Sequence, residues 1–557
     1  MRTLGRRLAP LLEAGAVVAL AHLPAARDLL PALGLFTGPL GAVLLVAGAL
    51  LAVDRAGRWP RLRPAPPAWA LFALSLLLAG AFGLRHVRAV EPTGDEIDYL
   101  MMTQSVWREG DLDLRDNFAR GDHLEYLGGF DRMAGGARRK DGRSYPLHSA
   151  GLPVLIAPAY ALGGRAACSL LLALLAAALG LLVRDLARRA GADEASALLA
   201  WAAAVGPPVL YYSVFLYTEV PVALAIALAL RLLLYSPGSS WAAAVAALAL
   251  STLPWLHLRT TLAAAALGAF AVFHLRGRPR LAFLLTAGAM GLAWAGYQYW
   301  VFGSLSPFVR YGGGVPGPML ARTPLRTLVG LVVDGGYGLL PYAPVFLLGL
   351  AGLPFVLARG RRDRWALLLA GTAVLLPVLG WRNWWGASPP ARFTVPLVPV
   401  LALAVAARLQ AAPGRGLARW RWALVAAGLG LAVLMFGEPR AMRMINGRDG
   451  PPRVYELLAG EVSLSRYLPL LSTRAGRAAP PWEPPATEAW VAGVWLGALG
   501  VLLALDRLAR TRDRVDAWFR GLALPLLLLV AISVAVDRWA RPEGLPWEKR
   551  PPPTAAS

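Results

Sequence analysis

Carboxylates crowd one short stretch of the chain, EPTGDEIDYLMMTQSVW over 91–107, which holds Glu91, Asp95, Glu96 and Asp98. The apolar residues Ile97, Leu100 and Met101, followed by Ser105 and Trp107, suit an amphipathic helix lying along a membrane interface. Asp95 and Glu96 fall in its first turn, where carboxylates complement the helix dipole, and that alone accounts for an acidic pair. A second reading gives the pair chemistry. Adjacent like charges raise one pKa, and a carboxylate at a bilayer edge can act as general base on a substrate carried by a lipid. Asp111-Leu112-Asp113 has the form of a metal-binding acid pair, a form that a Gly-Asp turn in a solvated loop also produces. In RSYPLHSAGLPVL (143–155), His148 suits a phosphate contact, a metal ligand or packing at the base of a loop. A divalent metal therefore stays open as a cofactor, with no ligand set assigned.

Polar residues at the ends of apolar runs form the second group, because burying them there is costly. Glu219 opens one run, His257 and Arg259 close another, and Arg392 opens a third. Arginine at a helix end can simply snorkel. It also grips phosphate with a fork of donors and stays charged at any working pH. Trp255, Trp384 and Trp385 stand beside these groups, as interfacial belt residues or as rings for stacking against a sugar.

The elements that must position these residues are spans. The chain has 557 residues, 57% of them hydrophobic and only 16% charged. Soluble domains carry about 25% charge, which excludes a cytosolic enzyme. Apolar segments lie near 9–25, 30–53, 68–87, 166–184, 197–214, 220–236, 241–257, 260–275, 281–301, 340–358, 365–381, 392–408, 421–436, 488–505 and 521–537. The expected fold class is an all-α polytopic membrane protein of about 12–15 transmembrane helices, each needing roughly 20 residues. The net charge of +23 sits in short arginine clusters between those segments, which argues for membrane topology and against a nucleic-acid partner. The single cysteine, Cys168, excludes an intramolecular disulfide and a cysteine-based zinc cluster. The N-terminal apolar run is read as a retained span.

Arg2, Arg6 and Arg7 place the N-terminus in the cytoplasm. The clusters beginning at Arg55, Arg184, Arg276, Arg359, Arg415 and Arg507 then fall on the same side by one alternation. The expected organisation is N-terminal spans over 1–87 and a first non-cytoplasmic loop over 88–150 with interfacial helices. A central bundle follows over 151–436, an outer loop with a surface helix over 437–487, and C-terminal spans with a Pro-rich tail over 488–557. Long structured loops are commonly functional.

Four stretches resemble the GT-C superfamily of integral-membrane glycosyltransferases, in the branch of protein O-mannosyltransferases and lipid A aminoarabinose transferases. They are the D-E-x-x-Y opening (Asp95, Glu96, Tyr99), YPLHSAGLPVL, DGGYGLLPYAPV over 334–345 with Tyr337, and WWGASPPARF over 384–393. The resemblance implies a GT-C-like bundle and inverting transfer of one sugar from a polyprenyl-phosphate-linked donor. It places the active site on the non-cytoplasmic face of a bacterial cell membrane. The acceptor would be a lipid, glycan or protein hydroxyl. Asp95 then matches the catalytic base and Glu96 its neighbour in the motif. Tyr99, His148, Glu219, His257, Arg259, Tyr337, Trp384 and Arg392 are the expected substrate-binding residues, the arginines by position. WWG at 384–386 continues as Ala-Ser, unlike the WWDYG of oligosaccharyltransferases, which counts against whole-glycan transfer. No P-loop or Rossmann fingerprint suggests a nucleotide. The competing readings are a transporter or flippase of lipid-linked glycans, whose polar residues belong near the bilayer midplane, and a glycan ligase.

Overall fold

The computed structural model describes residues 2–56, 65–126, 136–138, 143–306, 309, 324–381, 384, 388–438, 453–472 and 486–540. The described chain is a helical membrane architecture. Its one sheet is a pair of three-residue antiparallel strands, Gly136–Arg138 against Ser144–Pro146. Among the described residues six helices are long and apolar enough to cross a bilayer: Ala68–Ala89, Gly151–Arg189, Arg392–Ala411, Gly416–Gly437, Thr487–Ala509 and Ala523–Ala540. The bent pair Pro31–Thr37 and Pro39–Arg55 makes a seventh if it is one span. Further apolar helices of 10–17 residues include Glu194–Val205, Ser240–Leu256 and Phe346–Leu357.

The chain divides into two compact units. One comprises residues 63–327 and 352–410, and the other residues 1–62, 328–351 and 411–557. In the first unit, Ala68–Ala89 lies along Gly151–Arg189 with small residues at the seam. Gly80 faces Leu170, and Gly83 sits so close to Ser169 that an added Cβ would collide with its hydroxyl. Small side chains let membrane helices approach backbone to backbone, where dispersion supplies the attraction that apolar lipid cannot. Ser240–Leu256 packs likewise on Gly277–Phe302 and on Glu219–Tyr235.

The Gly151–Arg189 helix runs for 39 residues and breaks at Gly163–Gly164. Gly164 has φ 57° and ψ −146°, a region that only glycine enters without strain. The break redirects the chain at the point where Arg165 begins the lower segment. Gly164→Ala is expected to cost about 1–3 kcal/mol through that backbone strain. Thermal unfolding of the detergent-solubilised variant checks this, and an unshifted midpoint would contradict the assigned conformation. At the start of the same helix, a Cβ on Gly151 would stand 2.5 Å from the carbonyl oxygen of Trp255. This second glycine therefore permits close approach to the end of Ser240–Leu256.

In the other unit, Arg2–Ala21 packs on Pro39–Arg55, which also meets Arg421–Gly437. Arg421 pairs with Asp54 at 2.6 Å and Arg419 with Asp516 at 2.6 Å. The 437–487 loop is described over 453–472, and it is not the surface helix expected from its spacing. A six-residue helix, Arg453–Leu458, buries Val454, Tyr455 and Leu458. Tyr455 donates to the Gly335 carbonyl at 2.7 Å, and Tyr342 donates to the same oxygen at 2.8 Å. The periodicity was that of a buried element, which spacing alone does not distinguish from one lying on lipid.

Candidate functional site

The acidic stretch forms the expected helix, Asp95–Arg108. Gly94 precedes it at φ 59°, so the chain enters the helix through a left-handed residue that glycine tolerates. The helix is buried over most of its length: Ile97, Tyr99, Leu100, Met101 and Met102 are 0–6% exposed, and Trp107 and Arg108 at its end are open, Trp107 at 55%. It packs on Gly151–Arg189, so protein rather than lipid covers it.

The two acids of the first turn have different surroundings. Glu96 is fully buried and its carboxylate is occupied on every side. It accepts from the Thr93 N–H at 3.2 Å, from the Leu216 N–H at 3.2 Å and from Arg165 at 3.3 Å. Asp95 keeps 27% of its side chain exposed and accepts one strong bond, from Arg392 Nη2 at 2.6 Å. Burial pushes the Asp95 carboxyl upward. The charges of Arg392, His148 and Arg259 outweigh it and hold the group below the usual aspartate range. Asp95 is thus the reachable acid of the pair, and its surroundings favour the carboxylate.

Arg392 begins a span just after Ala391, which is itself left-handed at φ 59°. Its side chain is 4% exposed and bridges two carboxylates, Asp95 through Nη2 and Glu219 through Nε at 2.7 Å. The guanidinium also lies 4.4 Å from the Tyr217 ring centre. Glu219 opens the Glu219–Tyr235 helix, is completely buried, and takes Arg259 Nη2 at 2.5 Å on the same oxygen. Its other oxygen, Oε2, has no partner among the described residues. Arg259 stacks 4.4 Å from the Phe393 ring centre and uses a single guanidinium nitrogen on Glu219. Its remaining donors are uncommitted on a side chain 15% exposed. Asp95, Arg392, Glu219 and Arg259 therefore form one alternating chain of charge, whose two ends are reachable from outside.

The other expected residues take distinct places. Tyr99 is buried one helical turn below Asp95, with its ring 5.0 Å from that of His148 and its hydroxyl without a partner. His148 meets Asp98 at 3.1 Å. His257 supports Arg259 from behind: its Nδ1 accepts from the Arg259 N–H at 3.2 Å, which leaves the ring proton on Nε2. Trp384 is 3% exposed, so its ring is packed inside rather than presented to a sugar. Trp385 lies outside the described residues. Tyr337 belongs to the other unit, where its N–H donates to Asp334 at 2.8 Å.

Asp111 and Asp113 are engaged within the protein. Asp111 accepts from Ser105 at 2.9 Å; Asp113 accepts from the Ser144 N–H at 2.9 Å and pairs with Arg115 at 2.7 Å. Among the described residues no group of three or more His, Cys, Asp and Glu is placed to hold a metal ion.

Asp98, visible in the sequence only as one of the crowded acids, also belongs to the cluster, as do Arg165 and Tyr217, which sequence reasoning passed over. The signal for Arg165 was available, because a charged residue directly after Gly-Gly inside an apolar run marks a break and a reason for it.

His148 supplies a prediction for pH. Burial alone would lower its pKa, but Asp95 and the bond to Asp98 raise it above 6.5. A raised folded-state pKa means that this contribution to stability is complete below 6.5 and is lost as pH climbs through the higher folded value. Unfolding midpoints should therefore fall as pH rises above 6.5, and His148→Gln should flatten that decline. An identical pH dependence in the variant would remove the pair from the account.

No protein-family profile matches the chain. No curated protein matches it either. Solved structures are similar to it, among them two states of one protein. One is the crystal structure of ArnT from Cupriavidus metallidurans bound to undecaprenyl phosphate, at 15% identity and a TM-score of 0.44, with 85% of this chain and 78% of that chain covered. The other is the apo state of the same protein, at 15% identity and a TM-score of 0.45, with 85% and 77% covered.

Proposed function

We propose that the chain is a membrane glycosyltransferase of the GT-C type. It moves one sugar, with inversion, from a polyprenyl-phosphate-linked donor to an acceptor hydroxyl on the non-cytoplasmic side, with Asp95 as general base. The observation that carries this reading is the pairing of a reachable ionised acid, Asp95, with Arg259, a guanidinium whose outer donors are uncommitted. In the transfer, the acceptor oxygen forms a bond to the anomeric carbon and its proton passes to Asp95. The bond from that carbon to the phosphate oxygen breaks, and polyprenyl phosphate leaves with the electron pair. Negative charge grows on the departing phosphate, where a preset arginine stabilises it most. Arg259 is the residue for that task; Arg392 is already shared between two carboxylates and holds Asp95 in place.

A low pKa suits this base. It gives little driving force in the ground state, but sugar transfer builds positive charge at the anomeric carbon first. The acceptor hydroxyl becomes acidic as it attacks, and Asp95 need only be ionised to receive its proton. Glu96, with its carboxylate enclosed, positions the helix rather than meeting substrate.

A carrier for lipid-linked glycans is the alternative reading. Glu219, Arg392 and Asp95 each stand at the start of a helix, whereas a transport pathway calls for polar groups at mid-span. That placement supports the enzyme. Purified protein incubated with polyprenyl-phosphate sugars and a panel of acceptors tests the proposal. Glycosylated acceptor and free polyprenyl phosphate must appear in equal amounts, and movement of intact donor between leaflets without release would favour the carrier.

A further inference from the structure

Outside the charge chain, a cleft of about 320 Å³ opens where the Ala68–Ala89 span ends. Val87, Arg88, Val90, Tyr126 and Arg165 line it, together with two carboxylates, Glu91 and Glu125. Nothing in the proposed transfer uses it. Several donors in the lining have hydrogen-bonding capacity left. The Arg165 side chain is 9% exposed, and its Nε has no partner among the described residues. The Tyr126 hydroxyl is buried and also has no partner among them. Arg88 is exposed and makes no hydrogen bond or ion pair among the described residues.

Both carboxylates of the lining, Glu91 and Glu125, are engaged. Glu125 takes Tyr160 on one oxygen at 2.6 Å, and Gln104 and Arg108 on the other at 2.9 and 2.7 Å. Carbonyls at the end of the span would repel an anion, but Arg165 covers one by donating to the Val90 oxygen at 2.5 Å. A buried guanidinium N–H without a partner is costly, and an acceptor in the cleft would satisfy it.

We propose that this cleft binds a phosphate group, as carried by an anionic phospholipid headgroup, through Arg88, Arg165 Nε and the Tyr126 hydroxyl. Its level suits a lipid. Residues 87–90 end one span, and Arg165 begins the lower segment of the neighbouring helix just below the glycine break, where interfacial arginines sit. Because Arg165 also donates to Glu96, the occupant touches the residue that fixes the helix bearing Asp95.

Binding of dioctanoyl phosphatidic acid to the full chain in detergent provides the test, with dioctanoyl phosphatidylcholine and inorganic phosphate as parallel probes. Arg88→Gln and Tyr126→Phe are the informative variants, since Arg165 is bound up with folding. Saturable phosphatidic acid binding that weakens about tenfold in each variant, and persists in Arg259→Gln, is the expected result. Comparable binding of inorganic phosphate, with the same loss in both variants, would keep the phosphate site and assign it to a soluble phosphate. Binding that survives Arg88→Gln and Tyr126→Phe, or that is lost only in Arg259→Gln, would overturn the proposal, as would no saturable binding at all.

Discussion

Asp95→Asn lowers the rate of sugar transfer by about a hundred- to ten-thousand-fold, the usual worth of a positioned general base. Asparagine matches the shape of aspartate and can still take the Arg392 hydrogen bond through its carbonyl, so folding and donor binding should persist. Initial rates at saturating donor, together with donor affinity, separate these effects: the loss belongs in kcat. The pH profile carries a second mark. Arg392, His148 and Arg259 together hold the carboxyl down against burial, so the acidic limb of activity should lie below the ordinary aspartate value near 4. Activity is full above that limb and falls as pH drops through it. Arg392→Gln should move the limb upward. Transfer by Asp95→Asn at the wild-type rate would end the assignment of the base.

Loss of Glu219 acts on the scaffold. Its one bonded oxygen neutralises Arg259 and Arg392 together, and it is fully buried. Glu219→Ala leaves two guanidiniums facing each other with no anion between them, in a place where water cannot take over. Removing one partner of a buried ion pair costs about 3–5 kcal/mol. We expect a large fall in the unfolding midpoint and, in whatever folds, an Arg392 drawn more tightly to Asp95. Glu219→Gln retains the volume and one acceptor, so it should lie between the variant and the wild type. Equal stability of all three proteins would mean that solvent reaches this pair.

Much of this arrangement was legible in the residues. Glu219, Arg259 and Arg392 stood out because charge at the end of an apolar run is costly, and all three share one ion-pair chain with Asp95. Adjacent carboxylates at a helix start were also visible, but not their division of labour. Glu96 is occupied by the Leu216 N–H and by Arg165, which are distant in the chain, so no local pattern could identify which acid was free. His257 looked like a ligand, and its Nδ1 caps the turn that carries Arg259. Trp384 looked like a sugar platform and is enclosed. In both cases the residue type is compatible with either role, and only the neighbours decide. Spans were legible as apolar runs, and the break at Gly163–Gly164 was signalled only by the Gly-Gly-Arg that interrupts one of them.

That break sets a height. At 1.5 Å per residue the 39-residue helix would be about 58 Å long, nearly twice the roughly 30 Å of hydrocarbon in a bilayer. The stretch from Arg165 to Arg189 measures about 37 Å, enough to cross with some tilt. The twelve or so residues before the break take a different course, and the whole helix is the element against which the Asp95 helix packs. The point at which this helix turns is thus fixed by two glycines that belong to no part of the charge chain.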